Sequence, residues 1–195
     1  QLVLTGAIDE VGAPIRQNVG KSRRFGIELE LKMKLLPNWM WQPNLALSRN
    51  QNLDFYFKRD GVLENLGKTQ LAYSPNLVGG SAFMYVPSTR FQIGLLSKYV
   101  GKQYMGNIDS ENSTLEAYFV NDLNAVFTWK PNKWVSEIQW SFLINNIFDK
   151  RYESNGYFYT YDDSWSTPGQ VITIEGAGYY PQAGINFLTG VILRF

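Results

Sequence analysis

The last thirteen residues, 183–195, alternate between two kinds of side chain and end on an aromatic residue. Successive side chains of a β-strand point to opposite faces, so every second residue shares a face. One face is mostly apolar and carries Ile185, Phe187, Thr189, Val191, Leu193 and Phe195. The other carries Gly184, Asn186, Leu188, Gly190, Ile192 and Arg194. The pattern predicts a strand that turns one face toward an apolar environment.

The composition excludes several classes of function. The chain has 195 residues, which suits one domain, and its net charge of +1 gives no electrostatic reason to expect nucleic-acid binding. It contains neither cysteine nor histidine. Their absence removes the thiolate nucleophile, the commonest general base and the commonest metal ligand. We therefore expect no enzymatic activity, no bound metal and no cofactor.

The apolar residues are dispersed along the chain. Mean hydropathy is negative although 45 % of the residues are hydrophobic. A transmembrane helix needs about 18 or more consecutive apolar residues, and the sequence has no such run. The chain starts at Gln1 without an initiator methionine or a signal segment, and we expect it to be a piece of a longer protein.

Further strands are predicted in pairs that short breaks join. In residues 25–35 the odd positions are apolar and the even positions are glycine or charged. The predicted pairs are 25–35 with 39–47, 72–86 with 90–100, and 118–129 with 134–148, with proline-containing breaks at 36–38, 87–89 and 130–133. Pro43 weakens the second of these strands, because proline cannot donate to a ladder. Together with 183–195 these are seven strands, and residues 1–6 are predicted to end an eighth.

The connections alternate in length. Long segments separate the pairs, at residues 53–71, 101–117 and 149–182. Short turns at one end and long loops at the other are typical of bacterial outer-membrane barrels, in which the short turns are periplasmic and the long loops extracellular. The predicted strands exceed the five or six residues common in globular sheets, and they suit a tilted membrane crossing of roughly ten residues. The fold class predicted is all-β, an antiparallel transmembrane β-barrel.

Aromatic residues gather at the predicted strand ends: Trp39, Trp41, Trp129, Trp134, Phe148 and Phe195. In a membrane barrel such residues form a girdle at the level of the lipid headgroups. Core packing in a soluble β protein uses the same residues. Loop lengths and strand lengths favour the barrel.

Four motifs resemble those of TonB-dependent outer-membrane receptors. Residues 144–152, Ile-Asn-Asn-Ile-Phe-Asp-Lys-Arg-Tyr, are similar to the penultimate-strand motif Val-Asn-Asn-Leu-Phe-Asp-Lys-x-Tyr of that family. Residues 186–195 resemble its final strand, which ends on phenylalanine. Residues 23–30 resemble its Arg-x-Gly-x-Glu-Leu-Glu strand, and residues 99–104 its Tyr-Val-Gly-x-x-Tyr strand end. The motifs occur in the family's order and span most of the chain.

The resemblance implies a particular place in a larger protein. The family fold is a 22-stranded barrel that encloses an N-terminal plug. Residues 1–195 are then the C-terminal segment of such a barrel, about eight strands, with no plug in this chain. The implied function is active transport of an iron–siderophore complex or similar scarce ligand across the bacterial outer membrane. The implied partners are membrane lipid, the remaining strands and plug of the same receptor, TonB acting through the plug, and a small iron chelate.

Candidate ligand-binding residues lie in the loop at 151–180, which is rich in aromatic side chains. Aromatic rings can stack on flat ligands, and an arginine can pair with an anionic one. The candidates are Arg151, Tyr157, Tyr159, Tyr161, Trp165, Tyr179 and Tyr180. The alternative is that these rings pack the loop against its neighbours. Inward faces of the strands are expected to line the lumen, with Glu28, Glu30, Lys32, Lys34, Gln92, Lys98, Asp122, Asn124, Glu137, Gln139 and Arg194.

Two other classes of protein fit parts of the pattern. A small self-contained eight-stranded outer-membrane barrel, structural or adhesive, is compatible with the number of strands. The incomplete first strand and the missing signal segment count against it. An outer-membrane enzyme is the other alternative, and the absence of histidine counts against that one.

Overall fold

Strands account for nearly all of the regular structure. The computed structural model describes residues 2–11, 13–18, 21–131 and 134–195. A single turn of 3₁₀ helix, Glu111–Ser113, is the one helical element in these ranges. The strands are β1 Leu2–Ile8, β2 Pro14–Asn18, β3 Ser22–Glu30, β4 Met33–Leu36, β5 Trp39–Arg59, β6 Val62–Gln70, β7 Leu77–Ser88, β8 Phe91–Val100, β9 Gln103–Tyr104, β10 Thr114–Leu115, β11 Tyr118–Trp129, β12 Glu137–Asn145, β13 Glu153–Asp163, β14 Ile172–Pro181 and β15 Asn186–Arg194.

Nine strands form one antiparallel sheet, called here the wall sheet. Seven of them form its main path, in the order β15-β12-β11-β8-β7-β5-β3, and β4 and β6 each pair with β5 outside this path. In the described residues the sheet is open, with β15 at one edge and β3 at the other. The seven strands predicted from the sequence are therefore confirmed. β1 is also a strand, but it belongs to a second sheet of order β14-β13-β1-β2.

The register collects the apolar positions of neighbouring strands on one face. Leu95 pairs with Leu123, Leu123 with Ile144, and Ile144 with Phe187. Directly opposed residues of antiparallel strands point to the same side, so this row lies on a common outer face. Large apolar side chains stay exposed along that face, among them Ile27, Leu29, Leu45, Phe83, Phe119, Phe127, Phe142 and Phe187. A whole sheet face of this kind is what a membrane barrel presents to lipid.

Pro43 is accommodated inside β5 by an interruption in the neighbouring strand. The Pro43 carbonyl accepts a hydrogen bond of 3.0 Å from the Leu31 N–H, so this edge of Pro43 faces β3 and β4. The N–H and C=O of one residue point to the same neighbour in an antiparallel ladder. The N–H that proline lacks would therefore have pointed to the break between β3 and β4, where regular pairing is already lost.

Several predicted boundaries need correction. The sequence predicts a strand that begins at Trp134, but β12 begins at Glu137. Trp134 is exposed in the preceding connection, of which 132 and 133 lie outside the described residues. Residues 53–71 are largely a continuation of β5 and its hairpin partner β6, with Asp60 and Gly61 at positive φ in the turn. Residues 149–182 contain the β13–β14 hairpin. The segments 53–71 and 149–182 thus contain long hairpins, and the third segment, 101–117, contains the short antiparallel pair of β9 and β10.

Side-chain burial is concentrated at the end of the wall sheet that carries these hairpins. One cluster contains Phe55, Phe57, Leu71 and Ile108, with Phe158 packed against it. A second contains Val100, Tyr118 and Val120, with Val78 and Tyr152 packed against it. Within the described residues, no helix has the length and apolar character needed to cross a membrane.

Candidate ligand-binding surface

An apolar cluster holds three connecting segments together above the wall sheet. Phe55 comes from the β5–β6 hairpin, Ile108 from the connection between β8 and β11, and Phe158 from the β13–β14 hairpin. Phe55 is only 1 % exposed. Gly106 permits the close approach, because a Cβ at that position would lie 2.7 Å from Cδ1 of Phe158. We call the three segments the loop assembly.

Glu175 of β14 ties the same three segments by polar contacts. Its carboxylate accepts hydrogen bonds from the Arg59 guanidinium at 3.2 Å, the Asn112 side-chain amide at 3.1 Å and the Ser110 hydroxyl. Arg59 lies beside the hairpin turn of β5–β6, and Ser110 and Asn112 lie at the 3₁₀ helix. A carboxylate with a charged partner and two further donors makes stronger hydrogen bonds than a neutral pair would. Glu175 therefore locks β14 against its neighbours.

The tips of the two hairpins are also joined directly. The Asp60 N–H donates to the Thr173 hydroxyl, and the Thr173 N–H donates to the Asp60 carboxylate, both at 2.7 Å. Lys58 lies 3.8 Å from the Asp162 carboxylate. These contacts use the face of β13–β14 that carries Phe158, Thr160, Asp162, Thr173 and Glu175. This face is therefore directed at the other two segments of the loop assembly.

The opposite face of the β13–β14 hairpin presents a row of aromatic rings. The ring centroids of Tyr157 and Tyr159 are 6.2 Å apart, those of Tyr159 and Tyr161 are 6.4 Å apart, and those of Tyr161 and Trp165 are 6.1 Å apart. Tyr180 extends the row, 6.0 Å from Tyr157. We call these five residues the aromatic stripe. Four of the five are more than a third exposed, and Trp165 reaches 69 %.

Two glycines of β14 let the tyrosine rings lie flat. Tyr157 pairs with Gly178, and Tyr159 pairs with Gly176. A Cβ at either glycine would lie 2.4 Å from the paired ring. Each ring therefore covers the backbone of the opposite strand, and its outer surface remains available. An aromatic ring packed over a glycine of an edge strand compensates for the side chain that the glycine lacks.

Gly178→Ala is expected to displace the Tyr157 ring and to lower the stability of the hairpin by about 1–3 kcal/mol, the usual cost of overpacking. Hydrogen exchange at the β13 and β14 amides measures the change. Ala177→Ser is the control, since Ala177 is exposed and lies on the other face. Equal exchange in the two variants would contradict the proposed role of the glycine.

The structure distributes the candidate residues over three places. Tyr157, Tyr159, Tyr161, Trp165 and Tyr180 are brought together in the aromatic stripe. Tyr179 points to the opposite face, and its hydroxyl donates to the Asn112 carbonyl at 3.0 Å. Arg151 is exposed in the connection between β12 and β13.

The residues that sequence reasoning missed are Glu175, Gly176 and Gly178. The alternation in residues 172–178, Ile-Thr-Ile-Glu-Gly-Ala-Gly, is a strand signal that indicates their setting. It lay inside a segment predicted to be a loop.

Asp163 fixes the turn that carries Trp165. Its Oδ1 accepts hydrogen bonds from the N–H groups of Ser166 at 3.0 Å and Trp165 at 3.1 Å. Hydrogen bonds from the Ser166 side chain and backbone, with a smaller contribution from the Trp165 backbone, lower the pKa of the Asp163 carboxyl. A negative charge is therefore held beside one end of the aromatic stripe. Among the described residues, no three acidic side chains converge as a metal site would require.

The Asn-Asn-Ile-Phe-Asp-Lys motif closes the connection that follows β12. Asn146 is 4 % exposed and adopts a φ of 51°. Its side-chain amide donates to the carbonyls of Lys150 and Ala183 and accepts from the Lys150 N–H. Asp149 accepts from the Ile185 N–H at 2.9 Å. The motif thus joins the end of β12 to the start of β15.

Asn146→Ala is expected to lower the free energy of unfolding by about 2–4 kcal/mol, since buried backbone groups lose their partners and alanine disfavours positive φ. Thermal unfolding of the full-length protein in detergent measures the change. Phe148→Ala in the same motif is the control and should change stability little, because Phe148 is 72 % exposed. If the two variants melted alike, the motif's hydrogen bonds would not be stabilising the fold.

Residues 2–147 match the family described as TonB dependent receptor-like, beta-barrel. The chain belongs to this family. Its members are β-barrels of the bacterial outer membrane, and the wall sheet is accordingly part of such a barrel. Homologous proteins in the family are transport receptors and not enzymes.

Relatives and solved structures agree with this assignment. The chain is 27 % identical over 150 residues to the pesticin receptor of Yersinia enterocolitica, a match that covers 75 % of this chain and 20 % of that protein. The siderophore receptor PiuA from Acinetobacter baumannii has a similar fold, with a TM-score of 0.60 at 17 % identity, over 98 % of this chain and 24 % of that one.

The ferric yersiniabactin uptake receptor FyuA from Yersinia pestis also matches, with a TM-score of 0.56 at 22 % identity, over 93 % of this chain and 25 % of that one. The chain thus spans about a fifth to a quarter of the length of these proteins.

Proposed function

We propose that the chain supplies the C-terminal wall and extracellular loops of a TonB-dependent receptor that takes up an iron–siderophore complex or a similar scarce ligand. Membership of the receptor family supports active transport. PiuA is a siderophore receptor and FyuA is a ferric yersiniabactin uptake receptor, and their similarity to this chain supports an iron chelate as the cargo. A plug within the same receptor, and TonB acting on that plug, would complete the transport machinery.

The observation that carries the proposal for this chain is the aromatic stripe. Its rings lie on a hairpin that an apolar cluster and the Glu175 contacts hold in place, so the surface is preformed. A ligand that meets a preformed surface loses less free energy to ordering than one that must organise a loop. Arg151 remains a further candidate for ligand contact in the same region, whereas Tyr179 lies on the opposite face, where its hydroxyl donates to the Asn112 carbonyl.

A chelated metal suits this surface better than a bare ion does. The stripe offers ring faces and phenol hydroxyls, and the chain has neither histidine nor cysteine to ligate a soft or borderline metal. Polar residues on the inner face of the wall sheet, such as Glu28 and Lys98, would hydrate the lumen and bond to the plug.

Uptake by the full-length receptor tests this function. A bacterial strain that lacks its other iron-chelate receptors would express the receptor and be supplied with radioactive iron in defined chelates. We expect uptake of at least one ferric chelate, and its loss when TonB is deleted. If every ferric chelate failed while the receptor was present in the outer membrane, the iron-chelate assignment would be wrong, and uptake of another scarce ligand would replace it.

A further inference from the structure

The hairpin that carries the aromatic stripe contains acidic residues but no basic ones. No lysine or arginine occurs between Arg151 and Arg194, a stretch that contains the whole hairpin and four acidic residues. Two of the acids, Asp162 and Glu175, lie on the face directed at the loop assembly and pair with Lys58 and Arg59. These two cations are therefore already engaged, on the side away from the stripe.

The stripe itself is apolar, with hydroxyl groups and one flanking anion. The β14 residues on its face are Ile172, Ile174, Gly176, Gly178 and Tyr180, none of them charged. Asp163 lies at the Trp165 end, and its hydrogen bonds favour the ionised carboxylate. A polyanionic ligand would find no basic partner on this hairpin and one like charge beside it. The surface therefore favours a ligand that carries aromatic rings over one that carries negative charge.

The shape of the stripe also selects for rings. The Tyr159 and Tyr161 planes differ by 15°, and those of Tyr161 and Trp165 by 7°. Nearly parallel rings in a row form a corrugated surface into which flat groups can stack or pack edge-to-face. A ligand without planar rings would leave this surface poorly covered.

We propose that the aromatic stripe is the stacking surface for the cargo, and that it selects an iron chelate that carries planar rings and no net negative charge. This proposal rests on the proposed function and adds the chemical class of the ligand. The selectivity is twofold: the tyrosines and Trp165 favour rings, and the absence of lysine and arginine from the hairpin disfavours anions.

Four ferric complexes separate the two requirements when they are titrated into the purified full-length receptor. A phenolate–thiazoline chelate is neutral and bears rings, a tris-catecholate bears rings but is anionic, a trihydroxamate is neutral without aromatic rings, and citrate is anionic without rings. We expect the tightest binding for the neutral ring-bearing complex. Tyr159→Ala should weaken that binding about three- to tenfold, the value of one aromatic contact.

Matched variants make the test specific to the stripe. Tyr179→Ala removes the same side chain from the other face of the hairpin and should leave the dissociation constant unchanged. Trp165→Leu, in an exposed turn where folding depends little on the ring, should weaken binding as Tyr159→Ala does. Ile174→Lys places a cation beside Tyr161, its partner in the register, and should strengthen binding of the anionic tris-catecholate.

The outcomes are distinguishable. Loss of affinity in Tyr159→Ala and Trp165→Leu but not in Tyr179→Ala supports the stripe as the stacking surface. If a ferric complex binds with equal affinity to all of these variants, or if only the anionic complexes bind, the inference is overturned while iron-chelate binding stands. If none of the four complexes binds the wild-type receptor, both the inference and the proposed iron function fail.

Discussion

Phe55→Ala is expected to destabilise the loop assembly by about 3–5 kcal/mol, the usual cost of removing a buried aromatic ring. Phe55 is 1 % exposed and lies in the cluster with Phe57, Leu71 and Ile108, against which Phe158 packs. The cavity would remove the apolar contact between all three segments at once. Hydrogen exchange of the full-length receptor should show faster exchange throughout β13, β14 and residues 101–117.

Tyr56→Ala is the control for this change. Tyr56 is the next residue along β5, and its side chain is 47 % exposed. Its removal should leave exchange in β13 and β14 nearly unchanged. Ligand affinity gives a second readout, because a loosened hairpin must be ordered again when the ligand binds. Unchanged protection in Phe55→Ala would mean that the polar contacts of Glu175 suffice to hold the hairpin.

Phe142→Arg is expected to destabilise the barrel by about 2–4 kcal/mol if the side chain lies near the bilayer midplane. Phe142 is central in β12, pairs with Thr189 of β15, and is 53 % exposed on the outer face. A guanidinium at this position is transferred from water into the hydrocarbon of the bilayer, which costs free energy. Urea unfolding of the full-length receptor in lipid vesicles measures the loss.

Ser141→Arg is the matched control, because the adjacent residue of the same strand points to the inner face. On that face β12 also carries Glu137, Gln139 and Asn145, so the added charge can stay hydrated and should cost far less. Similar losses for Phe142→Arg and Ser141→Arg would mean that the inner and outer faces of the wall sheet are assigned wrongly.

The wall sheet was largely predictable because its signal is local. Period-two alternation assigns the faces of a strand from its own residues. It identified seven wall strands and the outer face that carries Leu29, Phe127 and Phe187. Alternation does not assign the faces of β7, because Gly79, Gly80 and Ser81 do not alternate between apolar and polar side chains. The register decides there, since Gly79 pairs with Leu45 and Tyr99 and therefore belongs to the outer face.

The candidate surface was only partly predictable. Tyrosine-rich composition identified the region, and alternation along β13 places Tyr157, Tyr159 and Tyr161 together once the segment is known to be a strand. The Asp60-Gly61 pair, a strong hairpin signal, could have revealed the β5–β6 hairpin. Neither signal separates Tyr179 from Tyr180, because adjacent strand residues take opposite faces and only the contacts tell which face is covered.

The sequence by itself determined that this chain forms long amphipathic strands with one lipid-compatible face, and its motifs indicated the receptor family. Only the tertiary structure decided that the hairpins fold onto one another and which ring faces stay exposed. The physical reason is the range of the interactions. Alternation is encoded by neighbouring residues, whereas the ion pair of Arg59 with Glu175 joins positions more than a hundred residues apart. Such contacts depend on how the strands are arranged around the sheet, which no local pattern specifies.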